Sequence, residues 1–189
     1  MYRYRFNVQL PEGLSLNQVR GKEGVRMRTA YAQNSKKYGV AWHGRKYNRN
    51  SWGDSDPINR ALSTANGLLN GICHAAIVSG GYSPALGFIH TGKQLSFVYD
   101  IADLYKTEIT IPLAFATVAE SEEKLTSRIR QACREKFRET KLLHRILPDI
   151  DQLLSINENT VTPQIGDLDA DGALPEKLWA PLEERESKN

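Results

Sequence analysis

The chain has 189 residues, 40% of them hydrophobic, and a net charge of +3, which allows one domain with a real core plus a short appendage and is too little for two large domains. It contains no run of 18 apolar residues, and Met1-Tyr2-Arg3-Tyr4-Arg5-Phe6 is no basic-then-apolar leader, so a membrane span and a signal peptide are not expected and a cytoplasmic location is. The charge is divided unevenly: residues 1–156 hold 22 Lys and Arg against 14 Asp and Glu, a balance of +8, whereas residues 157–189 hold 3 against 8, a balance of −5. A basic body suits a polyanionic partner, and equally suits a soluble protein with ordinary surface lysines.

In chain order, Tyr2, Tyr4, Phe6 and Val8 alternate with polar residues, a strand-like period of two. Pro11-Glu12-Gly13 is a turn, and Ser15-Leu16-Asn17-Gln18 fits a capping box that starts a helix running to about Tyr38. Gly21 and Gly24 inside it forfeit roughly 2 kcal/mol of helix propensity relative to alanine, so a close approach of another backbone or a ligand is expected there. Residues 39–55 read as a polar loop with Trp42, Tyr47 and Trp52 among Arg45, Lys46 and Arg49. Such a loop can stack on bases while contacting phosphates, or its tryptophans can simply anchor it to the core.

Asp56-Pro57 is an N-cap with proline at the first helical position. Ile58, Leu62, Ala65, Leu69, Ile72 and Ala76 then form an apolar stripe ending at Gly80-Gly81, the signature of a central buried helix. Further helices are expected from Leu95, after Pro112, and from Ser121-Glu122-Glu123 along Leu125, Ile129, Cys133 and Phe137, with Pro148 ending or kinking the last and Asp149 to Leu154 adding a turn or two. Cys73 and Cys133 lack Cys-x-x-Cys spacing and fall on apolar helical positions, so both are expected as reduced core residues. The tail from 156 to 189, rich in Pro, Gly, Asp and Glu, is expected to be disordered.

Three constellations bear on chemistry. Gly87-x-x-x-x-Gly92-Lys93-Gln94 nearly matches a phosphate-binding loop, but Gln94 stands where a hydroxyl should bind magnesium and no buried strand precedes it, so nucleoside-triphosphate hydrolysis is not expected. His90, Asp100 and Asp103 offer one nitrogen and one or two oxygens, a mixture suited to manganese or magnesium. Asp100 and Asp103, three apart on a helix, share a face and repel unless a cation lies between them. A further carboxylate is needed, and Glu23, set between two costly glycines, is the candidate; taken singly, such a glutamate is more often a helix-face ion pair with Arg20 or Arg26, and such a histidine more often a hydrogen-bonded loop residue. Finally, Arg134, Arg138, Lys141 and Arg145 recur at helical spacing, a stripe able to track a phosphate backbone or to be a solvated face.

Arg20-Gly21-Lys22-Glu23-Gly24 with Arg26 and Arg28, Tyr38-Gly39-Val40 with Trp42, Asp56-Pro57-Ile58-Asn59, and the long run from Gly81-Tyr82-Ser83-Pro84 through His90-Thr91-Gly92-Lys93 to Asp100-Ile101-Ala102-Asp103 closely resemble the CRISPR-associated spacer-acquisition integrase in its type I-E form. The resemblance covers about Met1 to Leu154. It implies a mainly α-helical catalytic domain over 15–155, residues 1–14 being a linker or the end of a linking helix, with the family's N-terminal β-rich domain lying before Met1 and absent. It further implies Glu23, His90 and Asp103 as ligands of Mg2+ or Mn2+, with Asp100 beside them and also needed for catalysis. Lys93 and Lys106 would hold phosphate oxygens, while Arg26 and Arg28 would steer the strand. The implied activity is metal-dependent endonuclease and integrase chemistry, in which a DNA 3′-hydroxyl of a prespacer attacks a phosphodiester at the edge of the CRISPR repeat. His90 must be neutral to ligate, so activity should fall as it protonates. The family's full-length members dimerise and dock on a small ferredoxin-like adaptation partner. The rival expectation is a DNA-binding fragment that cannot catalyse without its N-terminal domain.

Overall fold

The computed structural model describes residues 13–45 and 56–154, among which the chain is mainly helical and contains no strand. The elements are α1 (Leu16–Tyr38), α2 (Pro57–Ser79), α3 (Ser96–Tyr105), α4 (Ile111–Glu120), α5 (Leu125–Glu139) and α6 (Leu142–Leu154), with a π-helical turn, Lys106–Thr110, between α3 and α4. The alternating segment at Tyr2–Val8, the loop residues Lys46, Tyr47, Arg49 and Trp52, and the acidic tail lie outside the described residues.

α1 starts where the capping box requires: the Gln18 N–H donates to Ser15 Oγ at 3.3 Å and the Ser15 N–H to Gln18 Oε1 at 2.8 Å. It ends at Gly39, whose φ of 67° is the left-handed conformation that glycine adopts without strain. The expected close backbone approach at the two glycines is not there. A Cβ at Gly21 would meet nothing within 4 Å, and one at Gly24 only Arg28 Nη1 at 3.5 Å.

α2 is the central pillar. Asp56 caps it by accepting from the Asn59 N–H at 2.8 Å, and Pro57 sits in its first turn. By length and composition α2 could cross a membrane, yet Ile58, Leu62, Ala65, Leu69, Cys73, Ala76 and Ile77 are buried within this fold. Ile72 is only partly buried, and Cys73 takes the core position that the spacing assigns to Ile72. Around the first half of α2, Ile58, Leu62 and Ala65 pack with Phe115 of α4 and Ile129 and Cys133 of α5. Around the second half, Leu69, Cys73 and Ile77 pack with Val98 and Ile101 of α3 and Ile146 and Ile150 of α6. Both cysteines are free and buried, as the sequence suggests. Trp42 anchors its loop, stacking on Tyr31 at 4.5 Å and meeting Phe115 edge-on at 5.8 Å. Arg45 is likewise tied to α2, donating to Asn59 Oδ1 at 2.7 Å and Ser63 Oγ at 2.8 Å.

The helix at Pro112 starts as expected, with the proline in its first turn, and the π turn joins it to α3: proline has no N–H for the Glu108 carbonyl, and the Ile111 N–H reaches back to the Lys106 carbonyl. Other expectations are corrected. Ser121 does not cap α5; its hydroxyl accepts from the Glu123 N–H at 3.1 Å, and α5 follows Lys124, which has a left-handed φ of 47°. The long helix breaks at Thr140–Lys141, where Lys141 has φ 49°, and Pro148 lies inside the continuous helix α6 rather than ending it.

Leu69 is wholly buried at the centre of α2. Leu69→Ala is expected to cost about 2–5 kcal/mol in urea denaturation, the transfer and cavity loss of a buried leucine. A loss below about 1 kcal/mol would contradict the central position of α2.

Candidate active site

The segment from Pro84 to Leu95 folds back on the start of α3. Gly87 makes this possible, because a Cβ there would lie 2.2 Å from the His90 carbonyl oxygen and 2.8 Å from Ser96. The Phe97 N–H donates to the Pro84 carbonyl at 2.9 Å, and Ser96 Oγ donates to the Lys93 carbonyl at 2.9 Å. Asp100, one turn into α3, is wholly buried beneath this loop. Its Oδ2 accepts the N–H groups of Phe88 and Ile89, the latter at 2.9 Å, and its Oδ1 accepts the His90 N–H at 3.0 Å.

The fourth donor is the His90 ring, with Nδ1 2.7 Å from Asp100 Oδ1. An ionised carboxylate only accepts, so Nδ1 carries a proton, and in the neutral ring the lone pair falls on Nε2. Burial by itself pushes the Asp100 carboxyl up, but the His90 hydrogen bond and the three backbone amides together hold it below the usual carboxylate range. The His90 side chain is 38% exposed and lies edge-on to Tyr99 at 5.8 Å.

Asp100 and Asp103, on one helix, engage different partners. Asp100 turns to the loop, while Asp103 forms an ion pair with Lys106 in the π turn. Glu23 of α1 takes Arg26 in a bidentate pair, at 3.0 Å and 3.2 Å, and Arg26 Nη1 donates to Thr107 Oγ1 at 3.0 Å. The Arg26–Thr107 bond thus brings Glu23 to the end of α3 that carries Asp103 and Lys106. α2 backs this cluster: burial pushes the Cys73 thiol up to about 12, and Lys106 and Asp103 are the charges that act on it.

Among the described residues, no three His, Cys, Asp or Glu side chains converge into a ready metal cage; Arg26 and Lys106 engage the carboxylates instead. The donor chemistry fits a hard divalent cation nonetheless. It comprises an imidazole whose tautomer is fixed by a buried carboxylate, and two further carboxylates only 13% and 17% exposed.

Of the other residues singled out by sequence, Lys93 and Arg28 are exposed, Lys93 on the His90 loop and Arg28 on α1. Arg134, Arg138 and Lys141 line a groove of about 810 Å³ with Ile72, Phe137, Leu143 and His144. This groove includes none of Glu23, His90 and Asp103. Arg145 lies beyond the helix break on α6, bidentate on Glu108 at 3.0 Å and 3.2 Å and above the Tyr105 ring. The four cations thus do not run along one helix. Trp52 is outside the described residues. Sequence reasoning singled out Gly87 only in a phosphate-loop pattern and missed its role in closing the loop over Asp100; it missed Thr107 altogether, which nothing in the local sequence marks.

Fold and site together define a mainly helical domain that carries a carboxylate-oriented histidine on one loop, and two sheltered acidic side chains, Glu23 and Asp103, engaged by Arg26 and Lys106. Residues 5–158 match the family model described as CRISPR associated protein Cas1, and the chain belongs to that family. The CRISPR-associated endonuclease Cas1 2 of Thermus thermophilus is 54% identical over 180 residues, covering 95% of this chain and 54% of that protein. The CRISPR-associated endonuclease Cas1 of Escherichia coli is 43% identical over 158 residues, covering 84% and 52%. Among solved structures, the crystal structure of a TtCas1-DNA complex matches with a TM-score of 0.76 at 59% identity, over 80% of this chain and 56% of that one. The chain spans about half the length of the curated relatives it matches.

Because the Asp100 carboxyl is lowered in the folded chain, its stabilisation is complete above the ordinary carboxylate value and lost as pH falls through the lower folded value, below about pH 4. Asp100→Asn is expected to lower stability by about 1–3 kcal/mol at neutral pH, leaving buried N–H donors short of an acceptor. It should also flatten the acid limb of the stability curve, measured as urea midpoints against pH. Unchanged midpoints would contradict the carboxylate clamp.

Proposed function

We propose that this chain carries the catalytic site of a metal-dependent DNA endonuclease and integrase of CRISPR adaptation, of the type I-E form, which inserts new spacers by 3′-hydroxyl attack on a phosphodiester. The observation that carries the reading is the Asp100–His90 pair: a wholly buried carboxylate fixes the imidazole tautomer, and the same loop bears Lys93. The names of the relatives and the DNA-bound neighbour support a nucleic-acid substrate.

In this reading Glu23, His90 and Asp103 hold Mg2+ or Mn2+, which when bound polarises the phosphodiester and eases deprotonation of the attacking hydroxyl. Asp100 fixes the His90 tautomer with the proton at Nδ1, so that the neutral ring presents its lone pair at Nε2. Lys93, and Lys106 from the π turn, grip phosphate oxygens as point charges. Arg26 and Arg28 orient the strand, and Arg134, Arg138, Lys141 and Arg145 with Trp52 bind flanking DNA. Transesterification replaces one phosphodiester with another, so no nucleotide hydrolysis and no protein nucleophile are needed. The partners proposed are prespacer and repeat DNA, a second copy as in the family's full-length members, and a small ferredoxin-like adaptation protein, all in the cytoplasm.

A second reading, a DNA-binding fragment without catalysis of its own, is favoured by the engagement of both carboxylates by Arg26 and Lys106. The test is incubation with branched DNA carrying a repeat-like junction, in Mn2+ and in chelator. Metal-dependent nicking or strand transfer is expected, abolished in His90→Ala at nearly unchanged DNA affinity. Arg138→Ala should instead weaken binding and reduce the log–log salt slope by about 1. Breakage surviving in His90→Ala would sink the assignment, and binding without breakage in the parent chain would favour the fragment reading.

A further inference from the structure

Two ion pairs on the site distinguish it from a bare acidic pocket. Arg26 is bidentate on Glu23, Lys106 is on Asp103, and all four side chains are only 13–24% exposed. Pairs this sheltered are weakly screened by salt. They also offset the charges of Arg26 and Lys106 with those of the two carboxylates. Glu23, Asp100 and Asp103 contribute three negative charges against the two positive charges of Arg26 and Lys106, so these five groups carry a formal charge of −1. A polyanion gains little from such a cluster.

A divalent cation on Glu23 and Asp103 changes this balance to +1. It also places like charge beside Arg26 and Lys106, which must then leave their carboxylates. Both side chains are tethered to the rim of the site, Arg26 by α1 and its Thr107 contact, Lys106 by the π turn. One phosphodiester then brings the ensemble to neutrality, with a guanidinium fork and an ammonium free to grip its oxygens.

We propose that Arg26 and Lys106 are exchange cations. Each is held on a carboxylate of the site until a divalent cation takes that carboxylate, and each is then transferred to a DNA phosphate, so that metal and DNA bind with positive coupling through these two side chains. The proposal rests on the assignment of Glu23, His90 and Asp103 as metal ligands. It adds that Lys106 and Arg26 compete with the metal in the absence of DNA and cooperate with it in the presence of DNA.

The experiment follows free Mn2+ by electron paramagnetic resonance during titration of the 189-residue chain, with and without a duplex DNA, at fixed ionic strength. DNA affinity is measured in parallel in Mn2+ and in chelator. Wild type should bind DNA about tenfold more tightly with Mn2+, and by reciprocity Mn2+ about tenfold more tightly with DNA. Lys106→Gln and Arg26→Gln should each bind Mn2+ about threefold or more tightly than wild type without DNA, yet lose most of the coupling. A merely structural role for either residue would weaken Mn2+ binding instead. Melting curves identify a variant that fails to fold, and the other variant then decides. Mn2+ affinity unchanged or weakened in the glutamine variants, with coupling intact, overturns the exchange while leaving the metal site standing if His90→Ala loses Mn2+. Full Mn2+ affinity in His90→Ala overturns the ligand assignment itself, and the exchange with it.

Discussion

The site depends on one buried carboxylate. Asp100 is wholly enclosed, and an ionised group in that position is tolerable only when fully hydrogen-bonded. The N–H groups of three consecutive loop residues and one imidazole meet that requirement. In doing so they impose the loop's path, the histidine's tautomer and the direction from which the ring faces solvent. A metal-ligating histidine needs such an outer partner to fix its orientation and raise its basicity. Under the proposed role of His90 that partner is Asp100, which is also the keystone of the loop, so local folding and site geometry share one set of hydrogen bonds.

The scaffold places three elements around that keystone. α2 supplies the packed wall behind α3, with Leu69, Cys73 and Ile77 against Val98 and Ile101. The π turn widens the chain between α3 and α4 so that Lys106 reaches Asp103 and Thr107 reaches Arg26 of α1. Single π turns recur at functional sites because the extra residue re-aims side chains at a cost in helix regularity. Pro112, which cannot complete the regular ladder, is the residue that makes the wider turn favourable here.

Much of this was legible in the sequence, and the unreadable parts have identifiable causes. Ser15 with Gln18 and Asp56 with Pro57 each specify a helix start through side-chain acceptors for orphan N–H groups, and both act where expected. The apolar stripe of α2 was equally plain, apart from the exchange of Ile72 for Cys73, one residue of helical phase. The break at Lys141 and the start after Lys124 carry no glycine or proline; lysine in a left-handed conformation is a concession to packing of α5 and α6, which local propensity does not encode. Asp100 and Asp103 were correctly placed on one helix, but their spacing alone could not show that one turns to a loop and the other to Lys106. That difference is set by Gly87, whose missing side chain lets the loop close over Asp100.

The central claim is that Asp100 presents His90 for coordination at Nε2, with Glu23 and Asp103 as the accompanying ligands. Its most direct test is a crystal structure of the chain soaked with Mn2+ and recorded at the manganese absorption edge. The expected result is an anomalous peak bonded to His90 Nε2 and to both carboxylates, with His90 Nδ1 still on Asp100 and with Arg26 and Lys106 displaced. A peak bonded to Nδ1 or to Asp100, or one lying away from these residues while His90 stays on Asp100, would contradict it.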